Sequence, residues 1–276
     1  MIDLREHVPP IRRARGYRLY DLRGRRLLDL YQNGGAAITG HRGGEITAEL
    51  KAVAARGLLF DMPSVYEGRL LKKLADAYPG FRDIRLCVSL EAALSRASAA
   101  LGETIRPHDV ADPVMADPAP GEPAAVCLDR PFLPAAARGC LRTARAVIPV
   151  LPFQLGGAPA VLCLRDPSGA HPAAAAPPLS PLLLACLLRA MHDLDRFQPP
   201  PWFDGGLVSA RGAWVQIGPY LRPTFDRDDY AREFHRCLER GVLLNPDPNA
   251  PSILPGEASA GELDKISKLL NNDRGG

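Results

Sequence analysis

The sequence predicts an α/β fold, on three observations. Ile84 to Val88 form a short apolar strand that turns into a helix at Ser89. Ala124 to Asp129 (AAVCLD) are apolar almost throughout and end in an acid, the pattern of a parallel strand buried on both faces. Pro149 to Cys163 (PVLPFQLGGAPAVLC) join two apolar runs through Gly156, Gly157 and Pro159. A glycine pair takes backbone angles closed to other residues, and a proline fixes the chain just beyond it. By itself this stretch is a turn between two buried strands.

From the N-terminus, residues 15–30 alternate apolar and polar at Tyr17 and Leu19, turn over Asp21 to Gly24, and resume at Leu27, Leu28 and Leu30, a hairpin signal. Glu45 to Ala55 are helical in pattern, with Ile46, Leu50 and Val53 on one face and Gly57 as the stop. Ser64 and Glu67 have the spacing of a capping box. The helix they open carries Leu70, Leu71, Leu74 and Tyr78 inward, and Lys72 and Lys73 sit where cations complement its dipole. Residues 111–123 (ADPVMADPAPGEP) are a Pro/Ala-rich surface connection. Ser180 and Pro181 are an N-cap and first-turn proline for an apolar helix reaching Arg196. Asp226 caps a helix with Tyr230, Phe234, Cys237 and Leu238 inward and Gly241 at its end, and Ser259 and Glu262 form a second box.

The 276 residues are 46% hydrophobic and 24% charged, enough for a core in one large or two modest domains. A net charge of +3 without a basic stripe interleaved with aromatics argues against nucleic acid. No basic-then-apolar leader opens the chain, and the apolar run Pro181 to Leu188 is too short to span a bilayer. Cys87, Cys127, Cys140, Cys163, Cys186 and Cys237 are scattered among apolar neighbours without metal spacing, so six free buried thiols in a reducing cytoplasm are expected. Arginine replaces lysine at a level that points to a GC-rich bacterial genome.

Several of these stretches, in order, resemble class III aminotransferases, the pyridoxal phosphate (PLP) enzymes of fold type I. The opening and ending are most similar to glutamate-1-semialdehyde aminomutase and its relatives. Gly16, Tyr20, Asp21, Gly24, Leu28 and Asp29 match the family's opening hairpin, and Gly40-His41 its Gly-His pair. Ser89, Glu91 and Ala92 match the phosphate-binding Ser-Gly-Thr-Glu-Ala, with Leu90 in place of Gly-Thr and the segment one residue short. Asp129 stands where the family's aspartate meets the pyridine nitrogen, with Arg130 where a glutamate follows. Gly156, Gly157 and Pro159 fall on Lys-x-x-Gly-Gly-Gly-x-Pro, with Leu155 at the first glycine and Pro152 at the lysine. Leu179, Ser180 and Pro181 match a segment whose threonine reaches the partner subunit's cofactor phosphate. Glu239, Gly241, Val242, Pro246, Glu262, Leu263 and Asp264 match the closing segment. Residues 102–122 have no counterpart of the family's cofactor-stacking loop and two further strands.

The resemblance implies a small α+β domain from residues 1–62 and 205–276, and a reduced large domain, 63–204, with a mostly parallel sheet. It implies PLP as cofactor, with Ser89, Asp129, Gly156, Gly157 and Ser180 as remnants of its site and His41 in the substrate cleft. His41 is equally a capping or packing histidine, and Asp129 equally the cap of a strand end. It further implies a homodimer, or a heterodimer with a homologous aminotransferase. The lysines are Lys51, Lys72, Lys73, Lys265 and Lys268, with none from Lys73 to Lys265. The family's chemistry requires a lysine that holds the cofactor as a Schiff base. Two expectations result: a non-catalytic structural or regulatory subunit, or an aminotransferase or aminomutase that holds its cofactor without a covalent bond.

Overall fold

The structure, a computed structural model, describes residues 4–41, 43–60, 62–115, 124–153, 155, 159–166, 178–208 and 212–271. In chain order its strands and helices are β1 (Ile11–Arg15), β2 (Arg18–Asp21), β3 (Arg26–Asp29), α1 (Gly43–Ala55), α2 (Val65–Ala77), β4 (Asp83–Cys87) and α3 (Leu90–Leu101). Then come β5 (Val110–Ala111), β6 (Val126–Asp129), α4 (Gly139–Thr143), β7 (Ala146–Pro149), β8 (Ala160–Leu164) and α5 (Pro181–Arg196). The last are β9 (Trp214–Ile217), β10 (Tyr220–Pro223), α6 (Arg227–Glu239), β11 (Val242–Leu243), β12 (Ser252–Ile253) and α7 (Ala260–Asn271).

The chain divides into two compact units: unit 1 is Met1–Arg42, Pro131–Ala137 and Phe197–Gly276, and unit 2 is Gly43–Arg130 and Arg138–Arg196. The sequence placed the divisions after residue 62 and before residue 205. They differ because α1 packs on α5 and so joins unit 2. Unit 1 also holds the short segment 131–137, where Phe132 packs between Phe197 and Phe203.

Unit 2 is built on a five-stranded sheet in the order β4-β8-β7-β6-β5. β5, β6 and β7 are parallel, and β8 runs antiparallel between β4 and β7. Alternate side chains serve two apolar layers, as strand geometry demands. Cys127, Val147, Val161 and Cys163 face the helices that carry Val53, Tyr66, Leu70, Leu74 and Leu184. Val126, Ala146, Ile148, Leu162 and Leu164 face Ala93, Leu94, Ala97 and Leu101 of α3. Both faces being covered explains why these strands read as continuous apolar runs.

Unit 1 pairs the two ends of the chain. β11 lies parallel to β3, completing the sheet β1-β2-β3-β11, while β12, β10 and β9 form a second sheet. One core, including Leu27, Leu30, Trp214, Tyr230, Phe234 and Ile266, fills it. Asp226 caps α6 by accepting from the Asp229 amide, and Ser259 and Glu262 close their capping box as expected.

Three expectations need correction. The box at Ser64 and Glu67 does not form: the Glu67 amide donates to the Ser64 carbonyl at 3.2 Å, and the Ser64 hydroxyl is buried without a hydrogen-bond partner. Residues 111–123 are not only a surface connection, since Ala111 ends β5 in the sheet and Asp112 beyond it holds Arg130 through Nε and Nη2, while residues 116–123 lie outside the described residues. The thiols are not all free: Cys127 and Cys140 form a disulfide, because α4 brings Cys140 back over β6 with the two Cα atoms 6.5 Å apart. Cys87, Cys163, Cys186 and Cys237 are free and buried. Among the described residues no helix is long and apolar enough to cross a membrane, and no cluster of three or more His, Cys, Asp or Glu could hold a metal ion.

Candidate functional site

In unit 2 the strand ends define an edge where four chain segments meet. β6 ends at Asp129, which pairs with Pro149 at the end of β7, while Cys87 at the end of β4 pairs with Ala160 at the start of β8. Such an edge, outside the carboxyl ends of parallel strands, is where α/β sheets bind ligands.

Asp129 carries the main polar group of this edge. Its Oδ2 accepts a hydrogen bond of 2.8 Å from the Tyr78 hydroxyl, which the turn after α2 presents. Its Oδ1 is buried and has no partner among the described residues. Burial raises the Asp129 carboxyl above the ordinary aspartate range, opposed by the Tyr78 bond and by Arg138. Burial also raises the Tyr78 phenol well above its usual value, with the Asp129 charge and hydrogen bond acting in the same direction. Cys163, two strands away on β8, is pushed up to about 12 by burial and by Asp129, which disfavours its thiolate.

The other polar point is the start of α3. Ser89 is its N-cap, with Oγ accepting from the Ala92 amide at 3.2 Å. Glu91 is held below the ordinary glutamate range by hydrogen bonds from the Ser89 hydroxyl and from its own backbone N–H. A carboxylate of the chain itself therefore stands in the first turn of the helix, where an incoming anion would bind. Leu90, at the first helical position, is 46% exposed and offers no hydroxyl.

Of the other residues singled out from the sequence, Pro152 is buried and Gly156 and Gly157 lie outside the described residues. Ser180 is half-buried at the start of α5, where its carbonyl accepts from the Leu184 amide. His41 belongs to unit 1. Its Nε2 is 2.8 Å from Asp29 Oδ2, and Asp29 Oδ1 accepts from the Tyr31 and Gln32 amides. With the Gly16–His41 bridge, this binds the loop before α1 to the opening hairpin, which is the packing role. Two residues matter more than the sequence suggested. Tyr78 reads as an apolar helix-face residue, and only the fold shows its hydroxyl on Asp129. Glu91 had a signal, because an acidic residue in the first turn of a helix complements its dipole.

Bound PLP requires an acceptor for its ring nitrogen, donors for its phosphate and a lysine for its aldehyde. The unpartnered Oδ1 of Asp129 suits the first. Glu91 and Leu90 stand against the second. The third is missing: Lys51, Lys72 and Lys73 lie on α1 and α2, and Lys265 and Lys268 on α7. Lys73 is ion-paired with Asp195. The residues present do not fit the cofactor as the family holds it.

No protein-family model matches the chain. A protein of Treponema pallidum described as uncharacterized is 27% identical over 298 residues, covering 89% of this chain and 88% of that one. A glutamate-1-semialdehyde 2,1-aminomutase of Heliobacterium modesticaldum is 36% identical over 97 residues, which is 35% of this chain and 22% of that enzyme. Among solved structures, an ornithine aminotransferase of Plasmodium yoelii superposes with a TM-score of 0.69 at 11% identity, covering 94% of this chain and 91% of that one. The PLP internal aldimine form of a Sphingopyxis protein, FumI, gives 0.66 at 17% identity, covering 94% and 86%.

Proposed function

We propose, from the premise that this chain has the fold of the PLP-dependent class III aminotransferases, that it is a non-catalytic relative of them. It acts as a structural or regulatory subunit, paired with a second copy or with a lysine-bearing aminotransferase homologue. The observation that carries this reading is the lack of any lysine between Lys73 and Lys265. Glu91 at the start of α3 supports it, since a phosphate there meets a carboxylate in the first turn of the helix. On this reading PLP has been lost. The relative from Treponema pallidum, matched over most of both chains, supports a reduced plan that recurs rather than a decaying gene.

A partner is supported by the apolar side chains left in solvent. Leu59, Phe60, Met62 and Val65 are each at least half exposed within seven residues. Exposed apolar groups concentrated in this way mark association surfaces or aggregation. The reading places the protein in the cytoplasm, away from membrane and nucleic acid.

The test is an absorption spectrum of the purified protein with and without added PLP, then borohydride reduction and mass analysis. The expected result is no aldimine band and no adduct, with co-purification of a larger lysine-bearing homologue or self-association on sizing. An adduct on a specific lysine overturns the proposal.

One observation favours a second reading, an aminotransferase or aminomutase with non-covalent PLP: the buried, unpartnered Oδ1 of Asp129 is the acceptor a pyridinium N–H needs. Saturable PLP affinity without an adduct, abolished by Asp129→Ala, would support that alternative.

A further inference from the structure

Between Arg5 and Arg26 the chain carries eight arginines and two carboxylates. The arginines of the inner strands are matched. Arg18 donates to Glu262 through Nε at 2.9 Å and Nη2 at 2.6 Å. Arg25 donates to the Leu238 and Glu239 carbonyls, and Arg26 lies 3.8 Å from Glu262. Those on and beside the outer strand are not matched. Among the described residues, the guanidinium groups of Arg12, Arg15 and Arg23 make no hydrogen bond or ion pair, while Arg13 lies 4.3 Å over the Tyr20 ring with no carboxylate on it.

β1 is the terminal strand of its sheet, and all five of its residues are exposed. A strand that buries no side chain adds little hydrophobic stabilisation to the fold. Its outer edge presents the N–H and C=O groups that β2 does not take, a ready template for another extended chain. The arginines decide which chain fits. A second copy of β1 on this edge would set arginine against arginine, which is destabilising. An extended segment bearing carboxylates would find Arg13 and Arg15 on one face, because strand side chains alternate, with Arg12 beside them where the register shifts between Ile11 and Arg13.

The geometry points to β1 as a docking strand for an extended, acidic segment of a partner protein, joined by backbone hydrogen bonds along the free edge and by carboxylates on Arg12, Arg13 and Arg15. This surface is separate from the Asp129 edge and independent of whether PLP binds.

The test uses the full chain and a fluorescein-labelled peptide of alternating glutamate and valine, followed by anisotropy. The expected result is saturable binding that weakens with salt, with new amide-exchange protection in residues 11–15. The triple variant Arg12→Ser, Arg13→Ser, Arg15→Ser weakens binding about tenfold with an unchanged melting temperature, since these side chains are exposed. A peptide of the same charge with prolines replacing the valines loses every second N–H and is poorly accommodated in a ladder, and it binds at least as weakly as the glutamate–valine peptide binds the triple variant. Absence of binding, or equal binding of the proline peptide, overturns strand addition. Preference for an oligothymidylate or for phosphatidylserine vesicles over the peptide overturns a protein partner.

Discussion

Glu262 in unit 1 and Asp129 in unit 2 are carboxylates withdrawn from water in opposite ways. Both oxygens of Glu262 are occupied: Arg18 binds the two together, and Ser259 adds its N–H and hydroxyl. Its carboxyl is consequently lowered to about 2, with the Arg18 hydrogen bonds as the largest cause. Asp129 has one oxygen on Tyr78 and the other on nothing, and burial raises it. In one place a charge is used to build the fold. In the other, an ionisable group sits in a site that the fold does not complete. The difference separates a carboxylate that holds the fold together from one that the fold leaves half satisfied.

The largest expected effect breaks the packing of unit 1. A Cβ on Gly256 would collide with Tyr17 Oη and Phe197 Cζ, so Gly256→Ala should cost about 3 kcal/mol through overpacking. The same change at Gly102, the left-handed C-cap of α3 with open space around it, should cost about 1 kcal/mol. Calorimetric melts of the two variants compare the regions directly, and equal losses would contradict the packing described for Gly256.

Glu262→Gln comes next, at about 2 kcal/mol at neutral pH for the charge-assisted bonds it removes. The sign follows from a lowered folded-state carboxyl: this stability is present above the ordinary value of 4.5 and is lost as pH falls through about 2. The acid limb of the wild-type melting curve should therefore be shallower in the variant. Asp129→Asn should go the other way. A raised carboxyl favours the fold below its unfolded value and loses that contribution as pH rises through the folded one. The variant should gain about 1 kcal/mol at neutral pH, with no gain in acid, as read by denaturant titration at two pH values. A loss at neutral pH would mean that Asp129 is a structural anchor like Glu262, and the contrast would fail. The smallest effects are the two N-caps: Asp226→Ala and Ser89→Ala should each cost about 1 kcal/mol. A Ser89→Ala loss that grows when PLP is added would show that Ser89 still serves a ligand.

Local signals carried most of unit 1 and the outline of unit 2. The alternation at Tyr17, Leu19, Leu27 and Leu30 gave the hairpin, and Asp226 and Gly241 bracketed α6, because caps and periodicity act within a few residues. The apolar runs at 84–88, 124–129 and 160–163 gave the sheet because both of its faces are covered. What escaped was set by distance in space. β5 is a two-residue strand that exists only because β6 lies beside it. The disulfide depends on where α4 lies over β6, which no spacing encodes. The missing lysine was legible by counting. The Tyr78 bond to Asp129, spanning 51 residues of sequence, was not.

Glu91 also bears on evolutionary reversibility. A lysine substituted at residue 152 would stand at a buried position, while the start of α3 would still carry Glu91, a carboxylate of the chain's own. If the proposed loss of catalysis holds, reactivation would need the start of α3 changed as well as the lysine, before either change conferred any advantage. On that proposal the loss works as a ratchet: each missing part removes the selective value of restoring the other.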